Sequence, residues 1–266
     1  MLDRFNRHIN YLRISVTDRC NLRCHYCMPE KDPCMLRHED ILRFEEIQQV
    51  VAVAVPLGIN KIRLTGGEPL VRKDIVALVS MIAAVPGVED LAMTTNAVLL
   101  TRFARDLANA GLKRINVSLD TMDAGKFSKI TRGGDLDRVL QGIHAAREAG
   151  LHPIKINCVV KAGEDNHDAE QVRLYGLREN IEVRFIQQMD LENGHFGVVE
   201  GGTGGDCRQC NRLRLTSNGK VKPCLFSELE YDIRELGIQR AIEMALQNKP
   251  VKGTVNKMNA FHNIGG

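Results

Sequence analysis

YLRISVTDRCNLRCHYC, residues 11–27, joins a short apolar run to a tight cluster of cysteines. Residues 11–16 read as a strand, and the polar TDRC begins where that strand ends. The same pattern recurs downstream. KIRL (61–64) runs into TGGEP, DLAMTT (90–95) into an asparagine, and RINVSL (114–119) into an aspartate. Further strands are predicted over 153–160 and 181–186. Helical patterns fall between them, over 39–55, 74–85, 101–110, 135–149 and 168–179. Pro56, Gly58, Pro86, Gly87, Gly111 and Gly150 act as stop signals. Six β-α repeats of this kind predict an α/β fold with a parallel sheet and right-handed crossovers. A doubly wound sheet and an incomplete βα barrel both fit the pattern. In either, functional groups gather at the C-terminal ends of the strands.

After residue 187 the alternation stops. EGGTGGD (200–206) reads as a loop, a second set of cysteines follows, and residues 233–247 read as helical. Residues 1–190 are therefore expected to form the repeat domain. Residues 191–266 are expected to form a C-terminal extension packed across it. A chain of 266 residues, 44% of them hydrophobic, is long enough for one large core. The net charge of +3 is too small to argue for nucleic-acid binding. No run of eighteen apolar residues is present, so no membrane partner is expected. The first residues lack an apolar signal segment, which points to a cytoplasmic location.

Of the eight cysteines, six form two triplets: Cys20, Cys24 and Cys27, then Cys207, Cys210 and Cys224. In a reducing compartment such clusters hold metal or do redox chemistry more often than they form disulfides. Three thiolates at C-x3-C-x2-C suit a cubane [4Fe–4S] cluster with one iron left open. Structural zinc usually takes four ligands, and His25 is the nearby candidate for a fourth. For the second triplet, a zinc knuckle with a fourth ligand elsewhere is the competing reading. Arg212 and Arg214 share one face of an extended segment there and suit phosphate oxygens. Cys158, in a predicted strand, reads as a small core residue, and Cys34 has no assigned role.

CNLRCHYC followed some forty residues later by TGGEP, both at strand ends, resembles the radical S-adenosylmethionine (SAM) enzymes. TTNAVLL, INVSLDT, EVRFIQQMD, CRQCNRLRLTSNGKVKPCLF and the terminal IGG narrow the resemblance. They look like the GTP 3′,8-cyclase family of molybdenum cofactor biosynthesis, over nearly the whole chain and in order. The resemblance implies an incomplete (βα)6 TIM-type barrel with a C-terminal iron–sulfur extension. It implies two [4Fe–4S] clusters, on Cys20, Cys24 and Cys27 and on Cys207, Cys210 and Cys224, with SAM on the open iron of the first. One electron would then cleave SAM to a 5′-deoxyadenosyl radical that abstracts hydrogen from the substrate. The open iron of the second cluster would bind guanine.

Carried over residue by residue, the resemblance implies SAM contacts at Tyr26, Gly67, Ser118 and Met189. It implies GTP contacts at Arg13, Arg63, Thr94, Lys155, Arg212 and Arg214, and catalytic roles for Arg13, Gly265 and Gly266. It also implies an external one-electron donor of flavodoxin or ferredoxin type and a downstream cyclic pyranopterin monophosphate synthase, and it allows a homodimer. Two features depart from the family. The stretch from Met189 to Cys207 is shorter by several tens of residues, which predicts a more open cavity. TTNA stands for the usual TTNG, and Gln187 for a usual glutamate. A two-cluster paralogue acting on another nucleotide or a peptide stays open at this point. So does a non-catalytic iron–sulfur or zinc protein.

Overall fold

The computed structural model describes residues 1–28, 35–161, 167–258 and 261–265. Six parallel strands form its framework: β1 (Tyr11–Ser15), β2 (Lys61–Thr65), β3 (Asp90–Thr95), β4 (Arg114–Ser118), β5 (Ile154–Val160) and β6 (Glu182–Gln187). Helices α1 (Phe44–Ala54), α2 (Ile75–Ala83), α3 (Leu100–Asn109), α4 (Ala124–Thr131), α5 (Leu136–Glu148) and α6 (His167–Glu179) occupy the crossovers. The strands lie side by side in chain order, β1 to β6. A doubly wound sheet would reverse that order at a switch point. Strictly sequential order instead marks a barrel that stops short of closure.

Alternation along the strands sorts residues onto two faces. Leu12, Ile14, Ile62, Leu64, Leu91, Met93, Ile115, Val117, Ile154 and Ile156 are buried and belong to the main core. Each such side chain contributes about 2 kcal/mol by leaving water. The intervening positions carry Tyr11, Arg13, Arg63, Thr94, Asn116, Lys155 and Arg184. The inner face of the barrel is therefore polar and rich in cations.

The C-terminal segment joins the same sheet and does not merely lie across the repeats. Strand β7 (Arg212–Leu215) pairs parallel with β1, on the side away from β2. Strands β8 (Lys220–Lys222) and β9 (Tyr231–Asp232) continue it antiparallel. Helices α7 (Ile233–Leu236) and α8 (Ile238–Gln247) follow, and α9 (Phe261–Ile264) packs near β1.

Two local features differ from the sequence reading. The helix expected over 39–55 begins only at Phe44, after a single turn at His38–Asp40. Leu42 is drawn into the core, and its amide donates to Ser217 O (2.8 Å), which keeps it out of the helix. Helix α4 was not expected. Asp123 caps it by accepting from Lys126 N at 2.8 Å.

Candidate active site

The first cysteine loop leaves β1 at its C-terminal end and is held largely by backbone bonds. Cys27 N and Met28 N both donate to Cys24 O, at 3.0 and 2.9 Å. Arg23 N and His25 N donate to Thr131 O and Ile130 O at the end of α4, both at 3.1 Å. The Cys20 sulfur accepts from Leu22 N (3.3 Å) and from Asn96 Nδ2 (3.7 Å). Burial pushes the Cys20 thiol up to about 12, and Glu68 adds to the rise. Burial and Asp120 push Cys24 up to about 11, and burial with Cys24 pushes Cys27 up to about 12. Thiolates become stable here only with a positive centre among them, which iron supplies as it displaces their protons. The three-thiol donor set on one loop fits a [4Fe–4S] cluster with an open iron.

The TGGEP turn lies backbone-to-backbone against this loop. Gly67 N donates to Thr17 O and Glu68 N to Arg19 O, both at 2.8 Å. A Cβ on Gly67 would sit 2.4 Å from Arg19 O, so only glycine fits. Glu68 is fully buried, and burial pushes its carboxyl up to about 7. It accepts from Thr95 Oγ1 and Asn96 N (each 2.6 Å) and from Leu70 N (3.0 Å), tying the second motif to the third. Ala97, at the glycine position of that third motif, holds φ at +62°, a region that favours glycine. Tyr26 Oη donates to Asp120 Oδ2 at 2.7 Å, and Ser118 ends β4 beside them in the next strand register.

A cavity of about 330 Å³ lies on the inner face of the sheet. Arg63, Arg13 and Arg214 form one row across β2, β1 and β7, with Lys61, Tyr11 and Arg212 in a second row. Burial lowers Arg13 well below its ordinary value, and Arg214 and Arg63 lower it further. Burial, then Arg212, brings Arg214 down to about 10. Arg63 is lowered chiefly by burial, and its Nε meets no acceptor among the described residues. Crowded guanidinium groups of this kind mark a place prepared for an anion, whose charge would restore their ordinary basicity.

The second triplet lines the same cavity. Cys207 opens a short turn that Asp206 caps, Cys210 precedes β7, and Cys224 follows β8. Because β7 runs parallel to β1, these sulfurs sit at the N-terminal end of the sheet. The expectation that functional groups gather at the C-terminal ends therefore holds for the first triplet only. β1, five residues long, spans roughly 16 Å between the two ends. Burial pushes the Cys210 thiol up, but Lys249 and Arg212 outweigh it and leave it below the ordinary value. Burial also raises Cys224, against the pull of Lys249 and Arg214. Among the described residues no three His, Cys, Asp or Glu side chains are gathered to hold a single metal ion. Three thiols on one cavity wall beside buried cations suit a larger, anionic thiolate cluster.

Arg13, Arg63, Arg212, Arg214 and Met189 thus share one cavity with Cys207, Cys210 and Cys224. Thr94 touches it through Arg63 Nη1, 3.4 Å away. Lys155 does not line it and is paired with Glu182 Oε2 at 2.5 Å. Arg214 Nη1 donates to the Gly265 carbonyl. Gly265 holds φ at +68°, and a Cβ there would overlap Thr65 Oγ1 at 1.7 Å. Gly266 and Cys34 lie outside the described residues. Cys158 is buried, with its sulfur 3.7 Å from Asp120 O.

The shortened stretch does not simply leave the cavity open. Phe185 and Glu200 exchange backbone bonds of 3.1 and 3.0 Å along the β6 edge, and Phe196, Val199 and Thr203 line the cavity. Arg184, Lys249 and Arg7 were not singled out from sequence. Each is one polar residue in an ordinary stretch, with no spacing signal to reveal it.

Residues 14–175 match the Radical SAM superfamily, and residues 166–262 match Molybdenum Cofactor Synthesis C. A GTP 3′,8-cyclase of Thermodesulfovibrio yellowstonii is 44% identical over 89% of this chain and 88% of its own length. That alignment runs over 282 positions, more than the 266 residues of this chain, so the relative carries internal residues that this chain lacks. A GTP 3′,8-cyclase of Alkaliphilus metalliredigens is 38% identical over 95% of this chain and 94% of its own. Among solved structures, Streptococcus suis SuiB bound to precursor peptide SuiA superposes with a TM-score of 0.68. It is 15% identical over 92% of this chain and 66% of that one. anSMEcpe with bound AdoMet gives 0.63, at 16% identity over 90% and 81%. At these identities the two structures speak for the fold alone.

Proposed function

Because this chain belongs to the radical SAM superfamily and, within it, to the GTP 3′,8-cyclases, we propose that its two cysteine triplets and the arginines between them form one GTP-cyclising site. The protein is a radical SAM enzyme of the first step of molybdenum cofactor biosynthesis, with two [4Fe–4S] clusters and SAM as cofactors. When bound, the first cluster supplies the electron that cleaves SAM. In our assignment Cys20, Cys24 and Cys27 hold that cluster. Tyr26, Gly67, Ser118 and Met189 would contact SAM and orient it.

Arg13, Arg63 and Arg214 take the triphosphate, with Arg212 beside them, Thr94 steering Arg63 and Lys155 at the margin. Planar guanidinium forks grip phosphate oxygens and fix the ribose relative to the radical source. Cys207, Cys210 and Cys224 hold the second cluster at the far end, where the base would lie. The ribose 3′ hydrogen atom would pass to the adenosyl radical, giving 5′-deoxyadenosine; C3′ would then bond to guanine C8, and one electron from the external donor with one proton would complete 3′,8-cyclo-7,8-dihydro-GTP. Gly265 reaches this chemistry through Arg214, and Gly266 and Arg13 share it.

The observation that carries this reading is the row Arg63, Arg13 and Arg214 set between the two triplets. An external flavodoxin- or ferredoxin-like donor, a downstream cyclic pyranopterin monophosphate synthase, a cytoplasmic setting and a homodimer complete the proposal. Among the described residues no helix is long and apolar enough to cross a membrane. Reduced, cluster-loaded protein incubated with SAM and GTP is expected to yield 5′-deoxyadenosine and the cyclised nucleotide together. Deoxyadenosine formed without regard to GTP, and no nucleotide product, would overturn the reading.

A further inference from the structure

We propose that Arg7 and Lys249 are positioning residues for the second metal centre, forming a clamp that holds the segments bearing Cys207, Cys210 and Cys224 in one geometry. The inference rests on the reading of that triplet as a cluster site.

Lys249 is 1% exposed, and among the described residues it makes no ion pair with a carboxylate. A lysine is seldom so buried without a partner for its charge. Its ammonium has three donors. One goes to Arg212 O (2.7 Å) at the start of β7, just after Cys210. One goes to Pro223 O (2.6 Å), the residue before Cys224. The ammonium charge also acts on the neighbouring Cys210 thiol. A single side chain thus joins two cysteine-bearing segments and presents its charge to one of the sulfurs.

Arg7 completes the set from the other end of the chain. Its Nη1 donates to Cys207 O (2.8 Å) and Val251 O (3.2 Å), and its Nη2 to Pro250 O (2.7 Å). Asp3 aims it, accepting from Arg7 Nε at 2.7 Å inside a buried pair. Residues 249–251 are therefore the common anchor: they carry Lys249 and receive Arg7. The segments of all three cysteines are tied to them through backbone carbonyls, which no sequence change at the carbonyl positions other than a backbone shift would remove. The buried ammonium also offsets the negative charge of a thiolate cluster, and hydrogen bonds and charge near cluster sulfurs raise its reduction potential.

The test compares anaerobically reconstituted full-length wild type with Lys249→Met, Lys249→Arg and Arg7→Met. Readouts are iron content, the electron paramagnetic resonance signal of each reduced cluster, and redox titration. Wild type is expected to hold about eight irons. Lys249→Met and Arg7→Met are expected to fall toward half that value, with the SAM-responsive signal of the first cluster intact. Any second cluster retained in Lys249→Met should titrate at a more negative potential, and Lys249→Arg should move back toward wild type. Full iron with an unshifted potential in both Met variants would overturn the clamp and leave the function standing. Equal loss of both clusters would overturn it in favour of general stability. Wild type that never exceeds four irons would overturn the two-cluster reading, and the clamp with it.

Discussion

The two cysteine triplets carry the same ligands in opposite surroundings. Cys20, Cys24 and Cys27 sit on one loop, closed by its own backbone and docked on the end of α4. Their charged neighbours include the carboxylates Glu68 and Asp120, against which Arg132 pulls only on Cys24, and all three thiols are pushed up. Cys207, Cys210 and Cys224 come from either side of the β7–β8 hairpin and are surrounded by Lys249, Arg212, Arg214 and Arg7. A site on one loop needs only local turns to form. A site drawn from separate segments needs distant side chains to hold it. Under the proposed function the cations belong to the half of the site that would receive GTP, and the first triplet to the half that would receive SAM.

The largest test of this contrast is removal of one sulfur from each site. Cys24→Ala is expected to abolish both deoxyadenosine and cyclised product, a fall of about 10³ or more if chemistry then relies on no cluster at all. Cys224→Ala is expected to lose the cyclised product to a similar degree while keeping the first cluster's SAM-responsive signal. Spectra that fail in the same way for both variants would break the distinction.

A smaller effect is expected from the cation row. Arg214 is buried in the chain and lines the cavity. Loss of one or two charge-assisted hydrogen bonds in Arg214→Ala should raise KM for GTP roughly tenfold to hundredfold. KM for SAM should stay near wild type. A change confined to SAM would assign Arg214 to the wrong half of the site.

The smallest expected effect, read in stability, comes from Asp3, which aims Arg7. Asp3→Asn should destabilise the fold by about 3 kcal/mol at neutral pH, read by urea unfolding. Asp3 lies below its ordinary value of 3.8: burial pushes it up, but the Arg7 and Phe5 hydrogen bonds and the Arg7 charge outweigh burial. A carboxylate lowered on folding contributes its stability above the unfolded value and loses it as pH falls through the folded one. The gap between wild type and Asp3→Asn should thus be constant down to about pH 5 and close on further acidification. A gap that persists at low pH would show that packing, not charge, carries the pair.

Much of the fold was legible because its signals are local. Strand runs that end in TDRC, TGGEP, TTN and SLD place the first site at strand ends. The cysteine spacing and the GGEP turn act within a few residues, so they survive in a sequence. Helix α4 is poorly signalled because it is short and carries Gly125, Ser128 and Thr131, weak helix formers, yet its last turn holds the first cysteine loop. The cation set was named from resemblance, but the sequence could not say that Lys155 would turn to Glu182 and leave the cavity. Nor could it show that the shortened stretch would pair with β6 at Glu200 and still line the site.

By itself, then, the sequence determined an alternating α/β repeat and two cysteine triplets, the first of which resembles a radical SAM loop. Those follow from periodicity and spacing, which are properties of neighbouring residues. Only the tertiary structure decided that the second triplet lies at the opposite end of the sheet from the first. That outcome depends on β7 pairing parallel with β1, two segments some two hundred residues apart. The same pairing brings Arg214 into line with Arg13 and sets Arg7 and Lys249 around the second site. Hydrogen bonds between distant backbone groups leave no period in a sequence, so those placements could be read only from the folded chain.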